Sequence, residues 1–301
     1  VPELIPLREL DLDLDEEAIA LRATLGSGFK ASIQDILDED SELAAVVAEA
    51  CRLTVVLDQY KRSRHLDSPA YTTVLSDLNF ASLRLQHQLY TIPSCLDLEG
   101  SNGTDMGEDD RRTKREVDAY LLEALRLAMM VYTDMVLYPL PWPVGIKPRL
   151  AKHLRSTLTA ILDLLGPPSA SSPPPSHPNS SRRLSRQIPS PPQTSRSDFI
   201  LWLLLMGGIA ATFTPHRTWF VEKVDTYADA LRCVSFVDFT AVVRRFMWWE
   251  CLFDEPAAGL WEEKKLWAST VRLSSSPSAT QGSSPESPSS SAGPYAFWGA
   301  I

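Results

Sequence analysis

The chain has 301 residues, of which 44% are hydrophobic, 22% charged and 9% aromatic, and its net charge is −9. That length and composition suffice for one or two buried cores and exclude a fibrous or wholly disordered chain. Residues 1–50 hold 13 acids against Arg8, Arg22 and Lys30, so the opening carries −10 and the remainder +1; with no basic patch to displace counterions from phosphates, unaided nucleic-acid binding is not expected.

Residues 1–25 read as an acidic N-terminal segment, with Leu4, Leu7, Leu10, Leu12 and Leu14 interleaved among carboxylates. That interleaving keeps apolar side chains accessible in activation regions, and it suits a solvated lead-in to a helix equally well. No basic stretch followed by an apolar run opens the sequence, so no secretory signal is expected. Gly26-Ser27-Gly28-Phe29-Lys30-Ala31 spells G-x-G-x-x-A, but it follows a helical stretch rather than a strand. Amides aimed at a pyrophosphate are therefore not expected there.

Helices are expected at 42–63, with Asp40 or Ser41 as the cap, and at 70–90. Residues 99–112 hold glycine, polar and acidic residues and read as a surface loop. A helix follows at 116–137, where Val117, Tyr120, Leu121, Ala124, Leu125 and Ala128 recur at three- and four-residue steps, and Pro139 stops it. Another spans 148–165, with Pro148 suited to its first turn and Gly166 to its C-terminal cap. The apolar run at 199–211 is 13 residues long, whereas a bilayer span needs about 20; a buried core helix is expected and no membrane contact. The last helices are expected at 217–232 and 235–252. Two-residue alternation is confined to residues 10–15, so the fold class is all-α, a helical bundle.

Residues 166–197 contain nine prolines and ten serines, and residues 273–294 four prolines and ten serines. Such segments bury too little apolar surface to offset their ordering entropy, so 166–197 reads as a disordered insertion and 273–301 as a flexible tail. The parts on either side, 26–165 and 198–272, are expected to form one helical domain.

Catalytic constellations are scarce. Cys51, Cys95, Cys233 and Cys251 are scattered, with no C-x-x-C pair and no histidine at ligand spacing, so neither a disulfide framework nor a zinc site is expected. His65, His87, His153, His177 and His216 repeat no known site, and no cofactor motif is found. The chain reads as a non-enzyme. The densest signal is aromatic: Trp202, Trp219, Trp248 and Trp249 are candidates either for core anchors or for the lining of an effector pocket. Each buried Trp is worth about 4–6 kcal/mol before entropy.

Three stretches together resemble the fungal-specific transcription factor domain: Leu83-Arg84-Leu85-Gln86-His87-Gln88-Leu89; Leu203-Leu204-Leu205-Met206-Gly207-Gly208-Ile209-Ala210 followed by Arg217-Thr218-Trp219-Phe220-Val221; and FMWWECLFDEPAAGLWEE from Phe246. They run in order over roughly residues 26–267. The resemblance implies an all-helical regulatory module, nuclear residence and a part in gene control. Its partners would be proteins of the transcription machinery, a self-association partner, or a small-molecule effector. The DNA-reading part of that family needs six clustered cysteines to hold two zinc ions, and this chain has four scattered ones. DNA contact is therefore not carried over: either the cluster lies upstream of Val1 or this is a shortened member that works through partners. The alternative is a helical ligand-binding protein or enzyme with a pocket lined by the four tryptophans. Ser185, preceded by Arg182-Arg183, is a candidate phosphosite; phosphate there would nearly cancel the local basic cluster.

Overall fold

A computed structural model describes residues 14–39, 41–63, 69–94, 96, 109–137, 145–166 and 196–274. Every regular element among them is a helix, with no strand, so the fold is all-α. The helices are α1 (Glu16–Thr24), α2 (Ser27–Ile33), α3 (Glu42–Ser63), α4 (Pro69–Thr91), α5 (Asp109–Val136), α6 (Lys147–Leu165), α7 (Arg196–Ala210), α8 (Arg217–Ala230), α9 (Phe236–Val243) and α10 (Glu250–Ser274). Residues 1–13, most of the 166–197 segment including Ser185, and the tail from 275 lie outside the described residues.

Local signals account for several boundaries. Ser41 caps α3, its Oγ accepting from the Ala44 N–H at 3.2 Å. Pro148 sits in the first turn of α6, and Gly166 ends that helix with φ 71°, its N–H donating to the Leu162 carbonyl. Ser235 and Asp238 form a reciprocal capping box on α9. α5 begins at Asp109, inside the stretch read as a loop.

α7 is the centre. Its residues 198–210 are all buried, as a helix apolar on every side requires, and it packs against α2, α5, α6, α8, α9 and α10. Two glycines let neighbours come close: a Cβ on Gly207 would run into the Phe220 ring of α8, and one on Gly208 into Leu260 of α10. Arg217 ties the same three helices. Its guanidinium donates to the Gly208 carbonyl at 2.5 Å and makes two bonds of 2.9 Å to Glu263.

The expected helix at 235–252 is two helices. α9 ends at Val243 and α10 starts at Glu250 and runs on through Pro256. The carbonyls that would continue α9 are taken elsewhere: Arg245 O accepts from the Gly28 N–H at 2.6 Å, Phe246 O from the Gly26 N–H at 3.1 Å, and Met247 O from the Trp202 indole N–H at 3.1 Å. Trp248 and Trp249 therefore lie in the link 244–249 and are not neighbours on a helix, as had been expected.

The α5–α6 interface contains a buried ion pair, Lys147 Nζ to Asp134 Oδ2 at 2.6 Å, with side chains 3% and 1% exposed. Asp134→Ala should cost about 3–5 kcal/mol by removing the carboxylate that compensates the buried ammonium, whereas Asp134→Leu with Lys147→Met should recover most of that loss; urea unfolding checks both. Gly207→Ala should destabilise by about 1–3 kcal/mol despite alanine's better helix propensity, because the ring of Phe220 must move.

Candidate functional site

The link 244–249 forms the floor of a cleft of about 720 Å³. One wall is the C-terminal half of α3, the second the first turns of α10, and the third is α1. The floor holds because the link is pinned from behind. Phe246 joins Phe29, Phe199 and Trp202 in a cluster of rings with centroids 5.3–6.1 Å apart. In front, Tyr132 stacks on Phe253 at 5.4 Å, and Phe253 meets Trp248 at 5.5 Å. The Tyr132 hydroxyl is satisfied by Thr54 at 2.9 Å, and burial pushes its pKa well above the ordinary phenol value.

Each indole in the floor has a carboxylate partner at the rim. Trp249 Nε1 donates to Asp58 at 2.8 Å, and Trp248 Nε1 donates to Asp254 at 2.9 Å. Each carboxylate also meets an arginine: Arg62 Nε donates to Asp58 at 2.9 Å, and Arg244 approaches Asp254 at 3.1 Å and Glu250 at 3.0 Å. Lys61 sits over the Trp249 ring, 5.1 Å from its centroid. The cleft is thus an apolar floor rimmed by paired charges with an excess of carboxylates, a lining that fits a ligand or peptide with both apolar and charged groups.

Arg62 reaches across to α1, donating to Asp15 at 2.6 and 3.0 Å and pairing with Glu17 at 3.0 Å. Asp15 is also the N-cap of α1, accepting from the Ala18 N–H at 2.8 Å. The Arg62 bond first, and the Ala18 bond second, hold the Asp15 carboxyl below the usual carboxylate range.

The four candidate tryptophans do not converge. Trp202 is fully buried in the core. Trp219 is half-buried on another face, edge-on to Phe220 and beneath Arg155 at 5.7 Å, in a groove of about 470 Å³ between α6 and α8. Only Trp248 and Trp249 share a cleft. The G-x-G sequence serves packing: Gly26 adopts φ 78°, and a Cβ on Gly28 would lie 2.9 Å from the Arg245 carbonyl oxygen. Its amides are aimed at the link's carbonyls, not at a phosphate site. Sequence reasoning missed Asp15, Asp58, Arg62, Arg244 and Asp254, which are ordinary surface charges until the link brings the indoles to them. Among the described residues no group of three or more metal-ligating side chains gathers, and no helix is long and apolar enough to cross a membrane.

The three described cysteines differ in environment. Burial pushes the Cys51 thiol to about 12 and the Cys233 thiol to about 11, while Cys251 is exposed at the cleft rim and raised less. Of these three, iodoacetamide at pH 8 should label Cys251 first in the folded chain, with Cys51 and Cys233 following more slowly; peptide mapping checks the order. Asp58→Ala, which leaves the buried Trp249 N–H without an acceptor, should cost about 1–3 kcal/mol and shift tryptophan emission, while Asp58→Asn keeps an acceptor oxygen and should cost less. No family model, curated protein or solved structure matches the chain, so its resemblance to a known family rests on the quoted motifs.

Proposed function

We propose that the chain is a helical regulatory module of a transcription regulator, of the kind that in the fungal-specific family accompanies a binuclear zinc cluster. It works in the nucleus through proteins of the transcription machinery, a self-association partner, or an effector taken up in the cleft. The reading assigns it neither a catalytic step nor a DNA contact of its own.

One observation carries the reading: residues from two of the resembling motifs meet at a single junction. Gly207 and Gly208 from the first half of one stretch receive Phe220 from its second half and Leu260 from the block that begins at Phe246. Arg217 then bonds Gly208 and Glu263 across the same junction. Motifs far apart in the chain thus serve one scaffold, which is what a shared domain requires of them and what independent chance matches do not. The acidic opening adds to this, since its charge suits protein contacts better than phosphate.

A second reading, a helical ligand-binding protein or enzyme with an aromatic-lined pocket, is favoured by the indole-floored cleft. A thermal-shift screen with hydrophobic metabolites separates the two. Saturable stabilisation would indicate a ligand pocket, and turnover of any hit would remove the regulator-only reading.

The deciding experiment fuses residues 1–301 to a heterologous DNA-binding module with a nuclear signal and measures a reporter. The expected result is a change in reporter output that the isolated module does not give. A fusion that reaches the nucleus and leaves output unchanged would overturn the proposal, as would tight duplex binding by the purified chain alone at physiological salt.

A further inference from the structure

α1 is attached differently from the other helices. Of its nine residues only Ala18 is buried. Ala18 and Leu25 meet Val55 of α3 in a small cluster of their own, edged by Leu14, Leu21 and Cys51 and separate from the main core. The rest of the attachment is charge on the surface. Arg62, Asp15 and Glu17 are 31%, 43% and 77% exposed, and ion pairs so exposed are weak and weaken further with salt.

The attachment ends abruptly at Gly26. That residue has the left-handed backbone glycine adopts freely, and its N–H is already bonded to the Phe246 carbonyl. The next helix, α2, is held by the core, with Gly28, Phe29, Ser32 and Ile33 buried. The fold therefore supplies a hinge at the junction between a weakly held helix and a fixed one.

Beneath α1 runs a stripe of α3: Cys51, Val55, Asp58 and Arg62, at helical steps of four, three and four. α1 matches it, with Leu14, Ala18, Leu21 and Leu25 at the same steps and acids in its first turn facing Arg62. On its far side α1 borders a second hollow of about 350 Å³, between Arg22 and the α3 residues Glu49 and Arg52. Lifting α1 would join this hollow to the indole-floored cleft as one groove along α3.

We infer that α1 is a detachable strap, hinged at Gly26, occupying in cis a helix-docking groove on α3. The groove's partner in trans is an acidic amphipathic helix of a partner protein with the chemistry of α1: carboxylates in its first turn to meet Arg62 and small or leucine side chains at three- and four-residue steps to cover Cys51 and Val55. While α1 is down it closes the groove to that partner. This rests on the reading of the cleft as a contact site, but its tests use no reporter, so a failed strap and a failed role in gene control give separate results.

Hydrogen exchange on the full chain is the first test. Amides of α1 should exchange at least about 100-fold faster than those of α5 near Leu121 and Met129, and faster still in high salt, as expected for a locally opening unit. Exchange of α1 only at the rate of α5 would overturn the inference. The second test titrates a fluorescein-labelled peptide of residues 14–26 into the full-length Ala18→Asp chain, whose own α1 cannot dock. Saturable binding is expected there and much weaker binding to the unsubstituted chain, and the peptide bearing the same substitution should not bind. Absence of binding to an Ala18→Asp chain that keeps its helicity and unfolding temperature would overturn the inference. So would wholesale unfolding of that variant, since a strap can be lost without the body.

Discussion

The structure depends on burying a helix that has no polar side. α7 cannot face water anywhere along residues 198–210, so the chain must supply helices around it, and those helices can close only if something at the crowded point is small. Gly207 and Gly208 supply that smallness, and Phe220 and Leu260 fill the space it opens. Arg217 then satisfies a carbonyl at the end of α7 and neutralises its own charge on Glu263, which meets the demand that charge near a core be both paired and hydrogen-bonded. The ring cluster around Trp202 does the same work at the other end of the helix, where Asp198 in the first turn meets Arg245 of the link at 3.3 Å.

How far the sequence reveals this depends on whether a boundary is set locally. α3, α4 and α6 are readable because their apolar residues keep the 3.6 period and their ends carry Ser41, Pro148 or Gly166. The break between α9 and α10 is not readable. Residues 244–249 contain neither glycine nor proline, and the one proline nearby, Pro256, lies inside α10. What interrupts the helix is capture of three successive carbonyls by donors about 45 and 220 positions away in the chain. No window of neighbouring residues contains that information, so tertiary hydrogen bonding overrides a periodic apolar pattern.

The same break explains why the candidate site was half visible. Tryptophans 248 and 249 stand out by composition, but on a continuous helix they would face different neighbours. In the link both indole N–H groups turn to carboxylates, Asp58 from α3 and Asp254 from α10. Each carboxylate then needs a cation, and Arg62 and Arg244 provide them. The charged rim is thus a consequence of burying two indoles with their N–H groups at the edge, since a buried donor must find an acceptor. Trp202 and Trp219, equally conspicuous in the sequence, were drawn instead to the core and to a different groove.

Arg62 is where fold and function are hardest to separate. Its Nε serves the body, holding the carboxylate that satisfies Trp249, while its terminal nitrogens serve α1, holding Asp15 and Glu17. A planar guanidinium can do both because its donors point in fixed, divergent directions, which an ammonium cannot reproduce. The body-side bond lies beside a largely buried indole and is shielded, whereas the α1-side bonds are open to water and salt. One side chain therefore makes a durable contact and a labile one. The labile contact lies on α1, whose buried Ala18 belongs to a small cluster apart from the main core, so the acidity of the chain's opening and the architecture of its cleft are two parts of one electrostatic arrangement.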